Sequence, residues 1–229
     1  MQKPFSNALV ALIVLIVIGG GGYLYMTRST KEASAHPEKT AQALTPAGNE
    51  KLFRLSSTDS SASYTLHEVL RGSPVTVIGK TNQLDGDIAL DRAHANAARL
   101  GTIRIDARTL KTDNDRRDNT VKRMILKSED DANEYIVFKA KSVVGVPETV
   151  GNNTSFPLTI VGDLTVTGVT KEVTFAGQGS FTADDQLVAD VKTTVHYADF
   201  GLSVPKLSFL ANVEEDAVLD IHAVAKQTP

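Results

Sequence analysis

The sequence predicts an all-β fold, an antiparallel barrel or sandwich of about eight strands, set behind one N-terminal apolar helix. Three observations carry this reading. Beyond Glu50 the apolar residues recur with a period of two, the alternating runs are short, and Gly, Asn and Asp separate them.

Taken in chain order, the first element is the charge-free stretch of residues 8–26. It holds an aliphatic run from Leu9 to Ile18, then Gly19 to Gly22, Tyr23 and Tyr25. About 19 residues just reach across a hydrocarbon core, and tyrosines suit its interface. The competing readings are a buried soluble helix and a cleaved signal peptide. For the latter, the small-x-small site Ala33-Ser34-Ala35 lies far beyond Ile18. Lys3 precedes the run and Arg28 and Lys31 follow it, so flanking charge does not set an orientation. Residues 27–49, rich in Ser, Thr, Ala, Lys, Glu and Pro, read as a flexible tether in which His36 is solvated. The chain therefore divides into a cytoplasmic stub with a transmembrane anchor (1–26), a linker (27–49) and a β-domain (50–229).

Within the β-domain, alternation marks residues 62–70, 84–90, 100–107, 135–143, 187–197 and 217–225 as strands. The two clearest runs lie between these. Phe156, Leu158, Ile160, Gly162 and Leu164 share one face, with polar residues between them; Val173, Phe175, Gly177, Gly179 and Phe181 do the same after a hairpin loop over 167–171. Tyr64 and Leu66 hold the same inward parity on the earliest strand, with Glu68 beyond them. One helical interruption is expected over residues 113–126, capped by Asp113 or Asp115 and presenting Val121, Met124, Ile125 and Leu126 as its apolar side.

Composition excludes several functions. Of the net charge of −3, residues 1–49 carry +2, which leaves −5 for the rest; such a domain offers no electrostatic footprint for nucleic acid. Zero cysteines remove thiolate metal sites and cysteine nucleophiles, and zero tryptophans with 6% aromatics leave few stacking platforms. His67, His94, His196 and His222 show no metal-ligand spacing. No serine stands in a nucleophile elbow. The run from Asp113 to Asp118 reads as charge at a helix start, with Arg116 and Arg117 bridging to loops, more than as an acid/base cluster. Glu68 reads as a hydrogen-bonded rim group. Asn152-Asn153-Thr154 matches a three-residue glycosylation pattern. No catalytic residue, metal or cofactor is expected.

The inward glycines Gly162, Gly177 and Gly179 have two compatible readings. They let the sheet coil sharply, or they leave room for something other than a side chain. An eight-stranded barrel is near the size at which the interior is either filled or holds one small ligand.

Gly162-Asp-Leu-Thr-Val-Thr-Gly-Val-Thr-Lys171, followed by Val173-Thr-Phe175, resembles the hallmark hairpin of the YceI-like, lipocalin-like polyisoprenoid-binding proteins. Ile103 to Asp106, Thr109 to Asp113 and Arg116-Arg-Asp118 resemble that family's strand, loop and helix start, and Asp199-Phe-Gly-Leu202 with Pro205 its closing segment. The resemblance covers roughly residues 52–226. Two segments depart from the pattern: Tyr64-Thr-Leu-His-Glu68 stands where the family usually has His-Ser, and Glu134-Tyr135-Ile136 replaces its Tyr-Pro. The resemblance implies an eight-stranded antiparallel lipocalin-like barrel with a short helical insertion and an extracytoplasmic setting. It also implies binding of an isoprenoid or other amphiphilic lipid, such as a quinone tail or polyprenol. The expected lumen wall is Tyr64, Leu66, Phe156, Leu158, Ile160, Gly162, Leu164, Val173, Phe175, Gly177, Gly179 and Phe181. The expected partners are that lipid and, through the anchor, the membrane; a homodimer is left open. The second reading is a solidly packed, membrane-anchored envelope or stress-related module without a ligand.

Overall fold

The computed structural model describes residues 43–205 and 210–228, so the apolar run and most of the tether lie outside the described residues. Among the described residues, no helix is long and apolar enough to cross a membrane. Thirteen strands of the described residues form one curled antiparallel sheet. They are β1 (Lys51–Leu55), β2 (Ser61–Leu70), β3 (Ser73–Thr81), β4 (Leu84–Asp85), β5 (Asp87–Leu90), β6 (Arg99–Leu100) and β7 (Thr102–Asp106), then β8 (Tyr135–Val144), β9 (Thr154–Val166), β10 (Val169–Phe181), β11 (Gln186–His196), β12 (Leu210–Val213) and β13 (Asp216–Gln227). More strands occur than the eight or so expected because long strands are interrupted. Gly86 separates β4 from β5, Gly101 separates β6 from β7, and residues 56–60 separate β1 from β2.

Pairing runs β4-β7-β8-β9-β10-β11-β13-β1-β5-β6, and β4 is separated from β5 only by Gly86. The hydrogen-bonded path thus returns to the segment where it began. The β2–β3 hairpin runs beside β13 through Thr65, then continues past it and takes β12 as a new partner at Glu68, Val69 and Leu70. Alternation missed β1, β3 and β12. The first and last are short, and in β3 the outward Ile78 is 54% exposed, which blurs the pattern.

The β9–β10 connection is tighter than the loop expected over 167–171. Val166 pairs with Val169, so only Thr167 and Gly168 form the turn, with φ of 48° and 78°. Two positive φ values give the turn the twist of the strands it joins. On β8 one extra residue, Lys141, bulges between Ala140 and Ser142. The bulge reverses the parity, so that Phe138 before it and Val143 after it both face the interior.

The helix α1 spans Asp115–Thr120 and continues as a π-helical turn over Val121–Ile125. Its cap is neither Asp113 nor Asp115: the Asn114 side chain accepts from the N–H groups of Arg116 and Arg117 at 3.0 and 3.2 Å. Asn114 sits where its extended backbone lets the side chain turn back, one residue before the first turn. The expected apolar side is also narrower, since Met124 is 58% exposed while Leu126 is buried.

Asp118 is buried and accepts hydrogen bonds from the N–H and hydroxyl of Thr112, both at 2.7 Å. It ties the incoming loop to the first turn, while the exposed Arg116 makes no comparable side-chain contact. Asp118→Ala should therefore lower stability by about 2 kcal/mol, and Arg116→Ala by less than about 0.5 kcal/mol. Urea unfolding of the two variants measures this; equal midpoints would contradict it.

Candidate functional site: an apolar cavity

The inward face of the curled sheet lines a cavity of about 200 Å3. Its wall takes residues from every strand except β3, β4 and β12, and it is almost wholly apolar. Ile88 and Leu90, Leu100, Ile103 and Ile105, Ile136 and Phe138, Leu158 and Ile160, and Leu219, Ile221 and Ala223 make up most of it. Two edge-to-face aromatic pairs brace it, Phe53–Phe181 at 5.6 Å and Phe138–Phe175 at 5.4 Å between centroids.

One end is covered by two connections. The 3-10 turn Arg92–Ala97 meets the β8–β9 loop, with the Ala95 N–H donating to the Glu148 carbonyl at 2.6 Å and the Val150 N–H to the Arg92 carbonyl at 3.1 Å. Ala95, Ala98, Val146 and Val150 close the wall from these loops. The Arg92 guanidinium stacks 4.4 Å over the Phe181 ring, donates to Asp185 at 2.7 Å and reaches Asn152. The asparagine of the glycosylation pattern is thus engaged within the fold, its own amide donating to the Ala183 carbonyl at 3.2 Å.

Near the same covering, Arg99 forks onto Glu50, with Nε 3.0 Å from Oε1 and Nη2 2.5 Å from Oε2, and also donates to the Thr45 carbonyl. That hydrogen bond, followed by the Ala47 N–H, holds the Glu50 carboxyl below its ordinary range. The stretch read as tether up to residue 49 therefore makes contact with the β-domain from Leu44 onward, whose side chain lies against Gly101.

Tyr64, Phe156, Leu158, Ile160, Leu164, Phe175, Gly179 and Phe181 line the cavity. Leu66, Gly162, Val173 and Gly177 do not. The glycines explain part of the difference. A Cβ at Gly162 would lie 2.6 Å from the Phe138 ring, so a neighbouring aromatic already fills that place. A Cβ at Gly177 would lie 2.9 Å from the Val191 Cα and closer still to the Asp190 carbonyl oxygen. Gly177 lets β11 approach β10, and a bulky residue there meets backbone and not open space. Val173 is buried in the core, and Leu66 lies past the stretch of β2 that pairs with β13.

Residues of β5, β7, β8, β11 and β13 complete the wall. The alternation that marked these runs as strands also marks their inward face, so the signal for Leu187, Val191, Leu219 and Ile221 was in the sequence. The loop residues Ala95, Ala98, Val146 and Val150 have no such periodicity.

Polar candidates lie outside the cavity. Glu68 pairs with Arg117 at 3.3 Å, and Arg117 also holds Asp113 at 2.5 Å, so this cluster bridges β2 to the helix start. His94, His196 and His222 are partnered by Asp91, Asp216 and Asp190 at the surface, and His67 by Thr76. Among the described residues no group of three or more metal-ligating side chains converges.

A cavity walled by alternate residues of an antiparallel sheet, with the glycine hairpin on its edge, has a counterpart among known families. The family model for the YceI-like domain matches residues 53–225. The chain belongs to the YceI-like family. No curated protein matches it. Among solved structures, BcnA of Burkholderia cenocepacia is 15% identical with a TM-score of 0.59, over 75% of this chain and 99% of that one. A polyisoprenoid binding domain from Saccharophagus degradans, implicated in plant cell wall breakdown, is 11% identical with a TM-score of 0.57, over 77% and 98%. At these identities the likeness is one of fold. The hairpin of this YceI-like chain contributes Leu164 and Phe175 to the wall, and its Thr167-Gly168 turn sets their register.

Proposed function

We propose that the protein is a binding protein whose sheet closes as an eight-stranded barrel around the hydrocarbon part of an isoprenoid or similar amphiphile. Counting β1 with β2, β3 to β5 together, β6 with β7 and β12 with β13 gives the eight strands. The observation that carries the reading is the almost wholly apolar cavity. A solidly packed barrel would have no such cavity, and among the described residues no acid/base pair lines it. The fold shared with the Saccharophagus degradans domain supports the same ligand class.

Its size limits what it holds at rest. At about 200 Å3 it exceeds the roughly 150 Å3 that admits benzene in an engineered apolar cavity, but falls below the ~300–1,000 Å3 of drug-sized sites. A slim chain of a few isoprene units fits, and a longer one extends beyond the cavity. Burial of ten carbons yields roughly 8 kcal/mol at about 0.8 kcal/mol per CH2, against association costs of about 4–15 kcal/mol. Hydrocarbon burial alone is then marginal for a short chain, and length or a polar contact decides the affinity.

The full chain purified from its own host should carry a lipid in native mass spectrometry. Ala223→Phe, which puts a ring into the cavity, should abolish that adduct while moving the unfolding midpoint little, because the ring occupies existing space. A parent protein without lipid, together with an unfolded Ala223→Phe, favours the packed module.

We further propose that residues 8–26 anchor the chain in a membrane, with the β-domain on the extracytoplasmic side and residues 27–43 as the tether. The support is the uncharged length of the run. The chain should then sediment with membranes and resist alkaline carbonate extraction. Recovery of a soluble mature chain starting near His36 would show cleavage instead.

A further inference from the structure

We propose that Phe181, held in place by Arg92, is the end stop of the cavity and sets the length of hydrocarbon chain that the protein accepts. This rests on the reading of the cavity as the hydrocarbon site and adds the residue that limits it.

Burial along the wall is uneven. Inward side chains that press on one another are buried, whereas inward side chains that face free space keep accessible surface. Ile160, Ala189, Leu219 and Ile221 line the cavity and are only half-buried. Leu90, Ala95, Val150 and Phe181 line the same cavity, yet none is more than 4% exposed. These four stand together at one end. Leu90 and Phe181 are the last residues of β5 and β10, and Ala95 and Val150 belong to the two connections that hydrogen-bond to each other there.

Phe181 has the largest side chain of the four, and its ring is fixed by two neighbours. It meets Phe53 edge-to-face, and the Arg92 guanidinium lies 4.4 Å from its centroid. The guanidinium is itself pinned through all three nitrogens. Nε donates to the Val150 carbonyl at 3.3 Å, Nη1 to Asp185 at 2.7 Å and Nη2 to Asn152. Arg92 does not line the cavity, so the ring stands between the apolar space and a fixed cation. A chain end that pushed the ring aside would have to break this fork or bury itself against the charge, and both are costly. The chain therefore ends at the ring, and methylenes beyond the limiting length gain no burial in the cavity.

The test presents the full chain, in detergent micelles, with n-alkanols lengthened one carbon at a time from octanol to eicosanol, and reads occupancy by native mass spectrometry. A micelle buries a methylene as well as the cavity does. Occupancy of the parent should therefore stay level while the chain fits and fall by about fourfold per methylene beyond the limit. Phe181→Ala should move the point of fall to chains longer by about two carbons or more, and Phe181→Leu by about one. Arg92→Ala, which leaves the wall intact and frees the ring, should move it by less than Phe181→Ala. A general loss of stability lowers every occupancy together and leaves the point of fall in place. If Phe181→Ala does not fold, the other two variants carry the test. An unmoved point in folded Phe181→Leu, or level occupancy of the parent through eicosanol, overturns the stop while the cavity reading stands. An unmoved point in Arg92→Ala overturns the clamp. A parent that takes up no alkanol overturns the cavity reading itself.

Discussion

Everything in the molecule depends on one constraint: each strand of the curled sheet must satisfy its backbone on both edges while keeping polar side chains off one face. Curling meets the first requirement, because the pairing path returns to the β4–β5 segment and leaves few edges exposed. Alternation meets the second, and the Lys141 bulge repairs it where twist would otherwise turn Val143 outward. Once both hold, the inner faces meet only one another. Whether they meet completely is then a question of side-chain volume, and the small residues Ala189 and Ala223, paired across β11 and β13, help to leave the interior partly open.

Polar groups are placed at the ends of the fold, where water or partners are available. Arg92 and Arg99 fasten the loops over one end. Arg117, Asp118 and Asn114 fix the helix start to its neighbours. These clusters resemble reactive sites in sequence, since charged residues crowd together, yet each is satisfied locally. Their work is to hold loops and the helix over a sheet whose own hydrogen bonds cannot do so.

The main strands were legible in the sequence because a half-buried strand writes its burial with a period of two. Residues 156–164 and 173–181 show that pattern with little interruption, and β9 and β10 extend through them in register. Short strands such as β12 carry too few residues for a period, and β3 sits with Ile78 exposed, so neither announced itself. Eight of the twelve residues singled out by parity lie on the cavity wall. Gly162 and Gly177 did not behave as open positions because what fills a glycine's place is a neighbour, an aromatic ring or another strand's backbone, and no local pattern reveals it. The helix cap shifted to Asn114 for a similar reason: Asp113, Asn114 and Asp115 are all good caps, and only the path of the loop chooses among them.

The central claim is that the cavity, and not an outer surface, receives the hydrocarbon. Intermolecular nuclear Overhauser effects between farnesol and methyl-labelled protein test it directly. The account predicts cross-peaks from the prenyl methyls to Ile160 and Ile221, which line the cavity, and none to the exposed Ile78. Cross-peaks to Ile78 with none to the two interior isoleucines would contradict it.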